Sequence, residues 1–309
     1  PNGGVIKFVI DQDLWPWLNY HWLGRIFRIY QGEDNWKFED FKILYSGRVA
    51  NFSFDAVSNL ASVETTDASI DLDEVLVKDL YPEEDEFLEA IQGKPKPYLR
   101  GTVYSIQPVL EDDVLALYRL SFGKTLNKII EVRVGGVPWE EYTGSSTPGP
   151  GQWKGNLVGG YITLGSPTLG GEVRCDARSI DWETYNSGKL IKEIIESSGG
   201  IVDETSFSNF EILLPGLIGY YSIDPIHKLD VLDEIVFGSG SWWEFGPDGK
   251  AKVGVLESPE TENDFDLSSL NIKSFSLTKI IPPVWRIKVE YKRNWQPLTN
   301  PLSGVTDSE

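Results

Sequence analysis

The chain has 309 residues, 28 of them basic and 47 acidic, for a net charge of −19 at neutral pH. This excess of carboxylates argues against nucleic acid as a bound ligand, because affinity for a phosphate backbone needs clustered lysine and arginine. One cysteine, Cys175, and two histidines, His21 and His227, exclude an intramolecular disulfide framework, a multi-Cys zinc site and a three-His metal centre within one chain.

Hydrophobic content of 40% and aromatic content of 12% are ample for real cores, and the length implies two or three domains. No apolar run reaches the length of a membrane-spanning helix, and no basic then apolar leader opens the chain, so a soluble protein is expected. The chain starts at Pro1 and contains no methionine. A processed or truncated piece is therefore expected, with further protein before Pro1 and after Glu309.

From the N-terminus, Val5 to Ile10, Arg25 to Tyr30, Phe41 to Tyr45 and Gly47 to Phe54 are short apolar or alternating runs separated by Gly, Asp and Asn. Half-buried antiparallel strands are the natural expectation. Ser69 to Asp73, where Ile70 and Leu72 alternate with acids, reads as a further strand. Trp15, Trp17, Tyr20 and Trp22 cluster in one segment and are candidate anchors at a subunit interface, although a buried core element explains them equally well. Asp71 to Glu89, which includes Glu83, Glu84, Asp85 and Glu86, is the densest acidic stretch. Like charges this close repel, which predicts a solvated, poorly ordered loop or short helix unless a neighbour pairs with them. These acids lack the spacing and central glycine of an EF-hand loop.

Beyond Gly93 the chain is rich in strand signals. Lys94, Pro95, Lys96 and Pro97 form a basic Pro-x-Pro hinge that leads into an alternating stretch from Tyr98 to Ile106, stopped at Pro108. Val114 to Tyr118 and Lys128 to Val134 read as strands, the second closing on a Gly135–Gly136 hairpin turn. Thr143 to Gly155 reads as a long loop, and Tyr161 to Leu164 and Glu172 to Asp176 as two more strands. Cys175 lies in an alternating pattern that fits a small packed residue better than a nucleophile.

The third region changes period. Leu190, Ile191, Ile194 and Ile195 share one helix face ending at Gly199–Gly200. A second helix, capped by Asp203 or Ser206, carries Phe207, Phe210, Leu213 and Leu214 and stops at Pro215. Asp224–Pro225 reads as the start of a third helix burying Leu229, Leu232, Ile235 and Val236. A hairpin follows, with Trp243 and Phe245 on one arm, a turn over Gly246 to Gly249, and Ala251, Val253 and Val255 on the other. Val284 to Tyr291 alternates Trp285, Ile287 and Val289 against Arg286, Lys288 and Glu290, a last strand. With Lys292 and Arg293 it is the densest basic patch, and it is a candidate to meet the Glu83–Glu86 stretch of a neighbouring copy, with Arg286 and Lys288 at the interface.

Catalytic patterns are weak. Acids beside tryptophans (Asp11 and Asp13 with Trp15 and Trp17; Glu244 with Trp242 and Trp243) invite a glycosidase reading, which needs two carboxylates about 5 to 9 Å apart. This composition generates such neighbours by chance. A Ser-His-Asp triad has only two histidines to draw on, no Gly-x-Ser-x-Gly elbow is present, and His227 fits a surface position in the first turn of a helix. Neither Gly135–Gly136 nor Gly170–Gly171 has the spacing of a phosphate cradle. No residue is assigned to catalysis, a cofactor or a metal.

Three segments, in order, resemble one protein family. They are Gly93 to Leu110 with its Pro-x-Pro hinge, Gly240 to Pro259 with paired tryptophans, and Pro283 to Trp295 followed by Leu302 to Thr306. Together they resemble the tail-tip, or baseplate hub, proteins of long-tailed, siphovirus-type bacteriophages. The resemblance implies a mainly β, multidomain protein with an α+β region, built from antiparallel barrel- or sandwich-like modules. The expected domains are 1–92, a β domain with the acidic segment; 93–178, a middle β domain; 179–260, an α+β domain; and 261–309, a β segment returning to the hub core. It further implies a structural, non-enzymatic virion subunit below the tail tube, most often a trimeric ring around the DNA exit path. Its partners would be copies of itself and neighbouring tail-tube, distal-tail and tail-fibre proteins, with DNA only in transit. A wall that DNA slides past without sticking would carry negative charge, so Glu83, Glu84, Asp85, Glu86, Glu111, Asp112 and Asp113 are candidates to face the lumen. The alternative reading is a tail-associated carbohydrate-binding or hydrolytic module acting on the cell wall.

Overall fold

The computed structural model describes residues 4–9, 16, 19–55, 57–83, 87–166 and 171–256. The chain is mainly β, 42% strand with three α-helices among the described residues, and its sheets are largely antiparallel. The expected strand from Val284 to Tyr291 lies outside them.

Strands β1 (Val5–Val9), β2 (Ile26–Gln31), β3 (Lys42–Asp55) and β4 (Leu60–Thr66) form a four-stranded antiparallel sheet in the order β1-β4-β3-β2. Register places Ile6 and Phe52 beside Val63, and Phe8 and Phe54 beside Ala61, so one face is apolar. The runs expected as two strands around Ser46 are one long strand. Gly47 permits this continuity, because a Cβ there would strike the Thr66 carbonyl and the Tyr45 ring. A register shift between Val49 and Asn51 absorbs Ala50. Ser69 to Asp73, by contrast, is not a strand. The Asp67 carboxylate accepts the Ser69 N–H at 3.0 Å and caps a 3-10 turn, Ala68–Leu72, which carries Leu72 into a buried position. Local capping outweighs a two-residue alternation.

The middle region runs through β5 (Tyr98–Ile106), β6 (Val109–Asp112), β7 (Leu117–Arg119), β8 (Leu126–Val134), β9 (Val137–Pro138), β10 (Glu140–Glu141), β11 (Gln152–Asn156), β12 (Tyr161–Leu164) and β13 (Val173–Ser179). One sheet has the order β10-β11-β12-β7-β6, with β10 and β11 parallel and the other pairs antiparallel. The Gly135–Gly136 turn forms as expected, both glycines at positive φ. Val114 does not enter a strand. Asp112 accepts the Leu115 N–H at 2.8 Å and Ala116 takes positive φ, so Asp113 to Ala116 make the turn and β7 starts at Leu117.

The third region comprises α1 (Ser187–Ser197), β14 (Ile201–Val202), α2 (Glu204–Leu213), β15 (Gly219–Ser222), α3 (Lys228–Ser239), β16 (Ser241–Phe245) and β17 (Lys250–Val255). Asn186 caps α1 and Asp203 caps α2 by accepting the N–H three residues on. Leu190, Ile191, Ile194 and Ile195 are all buried, as their spacing predicts. Burial of side chains of this size is worth about 1.5–3 kcal/mol each. Two expectations shift. Leu213 is more than half exposed, because α2 buries only its Phe207 and Phe210 edge. Helix α3 starts at Lys228 rather than at Pro225, after Ile226 N–H closes on the Asp224 carbonyl, and its fully buried positions are Lys228, Val231 and Leu232.

Strand β15 leaves the helical region and joins the middle one, completing a second five-stranded sheet, β15-β5-β13-β8-β9. Its two faces serve two cores. Leu99, Val103, Ala177 and Tyr221 pack into a core with Trp153 and Ile162 of the first sheet, while Tyr220 packs with Ile194, Phe210 and Leu232. The close approach of β15 to β5 needs Gly101 and Gly219, which lie opposite each other. Gly101 has φ +64, and a Cβ on it would collide with the Ile218 carbonyl. Gly101→Ala is therefore expected to destabilise the protein by roughly 2 kcal/mol or more from backbone strain and collision together. Urea denaturation measures this. A change of only a few tenths would show that β15 can retreat from β5 without cost.

Candidate functional site

A built recess lies where residues 75–95 cross the middle region, a cleft of about 740 Å³. Val75, Val77, Leu80, Leu88, Ile91 and Pro95 line one side, and Pro108, Val109, Leu110, Ile223 and Pro225 the other. The polar lining is sparse: Tyr81, Lys94, Gln107 and Asp224. This balance of apolar wall and few polar groups, at this volume, is that of ligand- and peptide-binding sites.

The segment that forms the cleft is pinned at both ends. At its start, Leu76 N–H donates to the Ile226 carbonyl and Lys228 N–H to the Glu74 carbonyl, at 2.8 and 2.9 Å. The Glu74 carboxylate accepts from Lys228 Nζ at 2.6 Å and from Ser198 Oγ at 3.0 Å, and Lys78 sits 2.5 Å from its other oxygen. Hydrogen bonding from Lys228, then Lys78, holds the Glu74 carboxyl far below its ordinary range, down to about 2. At the other end, Tyr81 exchanges backbone hydrogen bonds with Lys94 and Gly93 at 2.9 and 3.0 Å. Its buried hydroxyl donates to Glu111 Oε1 at 2.8 Å, and Arg119 grips the same carboxylate with Nε and a terminal nitrogen at 2.9 and 2.7 Å. Burial and the Glu111 charge push the Tyr81 phenol well up, so it stays a donor. Lys96 Nζ stands 4.0 Å over the Phe122 ring.

The described residues of Asp71 to Glu83 are thus not the solvated loop that their charge implies. Of their acids, Asp71 pairs with Arg48 at 2.6 Å and Glu74 with Lys228, while Leu72 and Tyr81 are buried. Sequence reasoning missed the cleft because it weighed the acids. The signal that finds it is the apolar set Val75, Val77, Leu80, Leu88 and Ile91 threaded between them.

The candidate residues distribute unevenly. Glu111 is not a free lumen-facing acid: its side chain is 11% exposed and its charge is matched by Arg119. Asp112 caps the β6–β7 turn, and Asp113 is exposed at its tip. Glu83 is exposed beside Gly93. Trp22 is not a free anchor, because it stacks on Phe52 at 5.4 Å and is half-buried. Glu84, Asp85, Glu86, Trp15, Trp17, Arg286 and Lys288 lie outside the described residues.

Of the groups weighed for chemistry, Cys175 is fully buried and burial pushes its thiol up, which suits packing and not attack. His227 Nδ1 lies 3.3 Å from Asp73, at the N-cap of α3. Among the described residues no group of three or more His, Cys, Asp and Glu is placed to hold a metal ion, and no helix is long and apolar enough to cross a membrane. Comparison with known proteins returns no match to a family, a curated protein or a solved structure.

Two changes test how the cleft is held. The folded chain keeps Glu74 ionised where an unfolded chain would protonate it. Its ion pair therefore stabilises the fold in full above about pH 4.5 and loses that contribution as pH falls toward about 2. Glu74→Gln is expected to lower stability near neutral pH, with the gap to the parent narrowing across that window. A gap that stays constant with pH would exclude the ion pair as its source. Glu111→Leu leaves the Arg119 guanidinium without its carboxylate and is expected to cost roughly 3 kcal/mol, much of it recovered when Arg119→Met is added. Chemical denaturation of the three variants reads this, and a double variant no better than the single one refutes it.

Proposed function

We propose that the chain is a structural subunit of a phage tail tip or baseplate hub, assembled as a ring below the tail tube around the DNA exit path and supporting host attachment. The observation that carries this reading is the agreement between two of the three resembling segments, as far as they are described, and built elements of a largely antiparallel, mainly β chain. The Pro-x-Pro hinge leads directly into β5, the strand shared by two cores, and the paired tryptophans fall on β16 after helices α1 to α3. In this reading the middle region and the N-terminal sheet are the barrel- or sandwich-like modules of a hub, and the protein resides at the virion tail tip.

The charge agrees with such a role. Most described arginines are already matched: Arg48 with Asp71, Arg100 with Glu193, Arg119 with Glu111, Arg133 with Asp176, and Arg174 with Glu172. The excess acids therefore remain for the surface, where they act on passing DNA only within about a Debye length, roughly 8 Å at physiological salt. Glu83 and Asp113 are the described candidates with exposed side chains.

One observation favours the alternative, a cell-wall carbohydrate-binding module of the tail. The Trp242 indole lies against Gly254, where a Cβ would meet Cε2, Cζ2 and Nε1, and the side chain is still part-exposed. A tryptophan laid flat on a strand offers a face for stacking a sugar. Electron microscopy of the purified protein separates the two readings. Closed rings, most simply trimers, are the expected result. Monomers at all concentrations, with glycan binding abolished by Trp242→Ala, would replace the hub reading with the carbohydrate one.

A further inference from the structure

Among the described residues, strand β6 is the last of its sheet and pairs with β7 alone, its Val109 and Leu110 line the cleft, and no backbone hydrogen bond outside that ladder involves Val109 to Asp112. An open strand edge beside an apolar recess is the geometry of strand addition: the edge supplies main-chain hydrogen bonds, and the recess takes alternate side chains of the added strand. The charge around the cleft selects among strands. Asp224 lines it, Glu83 stands beside the lining residue Gly93, and Asp112 and Asp113 lie just beyond the lining residue Leu110, where β6 ends and its turn begins. Against them the lining carries one cation, Lys94. A strand with apolar side chains on one face and basic ones on the other satisfies both features.

The chain itself contains such a segment. Val284 to Tyr291 alternates Trp285, Ile287 and Val289 with Arg286, Lys288 and Glu290, and Lys292 and Arg293 follow. We propose that the β6 cleft receives this segment from a second copy of the chain. The inference rests on the hub reading in one respect, that copies stand side by side. A strand passed from each copy to the next joins one patch to a different patch, and such a head-to-tail contact closes into a ring when its rotation allows. The four residues of β6 match about half of the eight-residue segment, and the flanking basic residues meet the acids beyond the strand.

Cysteine pairing in the full chain tests this, since the native Cys175 is buried and does not compete. Val109→Cys is combined in turn with Trp285→Cys, Ile287→Cys and Val289→Cys, so that any register is sampled, and the proteins are oxidised and run on non-reducing gels. A ladder of cross-linked chains from at least one pair is the expected result. Cross-links within single chains would overturn the proposal by assigning the cleft to the chain's own segment. Absence of any cross-link would also overturn it, and if rings are still seen by electron microscopy the hub reading survives that loss. A second measurement does not depend on disulfide geometry. Asp224→Lys and Lys288→Asp alone should each weaken assembly roughly two- to fivefold at low salt, and together should restore it. Independent, additive losses would show that the two residues do not meet.

Discussion

The pairing of β15 with β5 is the constraint on which the rest of the structure depends. It brings a strand from the helical region into the middle sheet, so one sheet becomes a wall between two cores. Successive residues of β15 then divide: Tyr220 faces the helices and Tyr221 the β core. On β5, Arg100 reaches across to Glu193 of α1, with Tyr185 donating to the other carboxylate oxygen at 2.6 Å. Burial pushes Glu193 up, and the hydrogen bond and charge of Arg100 more than offset it, so the carboxylate remains ionised. Two glycines make the approach possible, and the ion pair ties β5 to α1. Neither the helices nor the middle sheets close their cores without this wall.

The cleft is a consequence of the same wall. Once β15 is fixed, the chain that follows it, Ile223 to Pro225, is held beside Pro108 and Val109 at the end of β5. Residues 74–81 then bridge the two halves, tied to α3 by Glu74 and to the middle region by Tyr81. A segment spanning two rigid supports cannot sink into either core along its whole length. The space beneath it stays open, lined by the aliphatic side chains that face inward. Its acids are placed with the same economy: those near a buried cation are paired, and the others point outward.

Much of this was legible in the sequence where one signal dominated. The four-residue apolar face of α1 and its Gly199–Gly200 stop, the Asp203 cap, the Gly135–Gly136 turn and the tryptophan hairpin each rest on local chemistry that the fold leaves unchallenged. The misreadings share a cause, two local signals in competition. At Ser69 to Asp73 alternation lost to the Asp67 cap; at Val114 apolar content lost to the Asp112 turn. The cleft was hidden for a different reason. Its walls come from Val75, Val109 and Ile223, far apart in sequence, and only the crossing of β15 brings them together.

The exposed groups left over separate into two kinds. Asp113 stands at the β6–β7 tip beside Val114 and Leu115, which are 85% and 59% exposed. A wall meant only to repel phosphate gains nothing from exposed aliphatic side chains, whereas a protein contact buries them at about 25 cal/mol per Å². Glu83 has no such apolar neighbour in sequence, lying between Pro82 and further acids. Within the hub reading Asp113 therefore steers a protein partner onto the tip, whereas Glu83, beside Gly93, adds its field to that of Asp224 at the cleft. Net charge is one number for the chain, but its effect is decided side chain by side chain, by what stands within a Debye length of each.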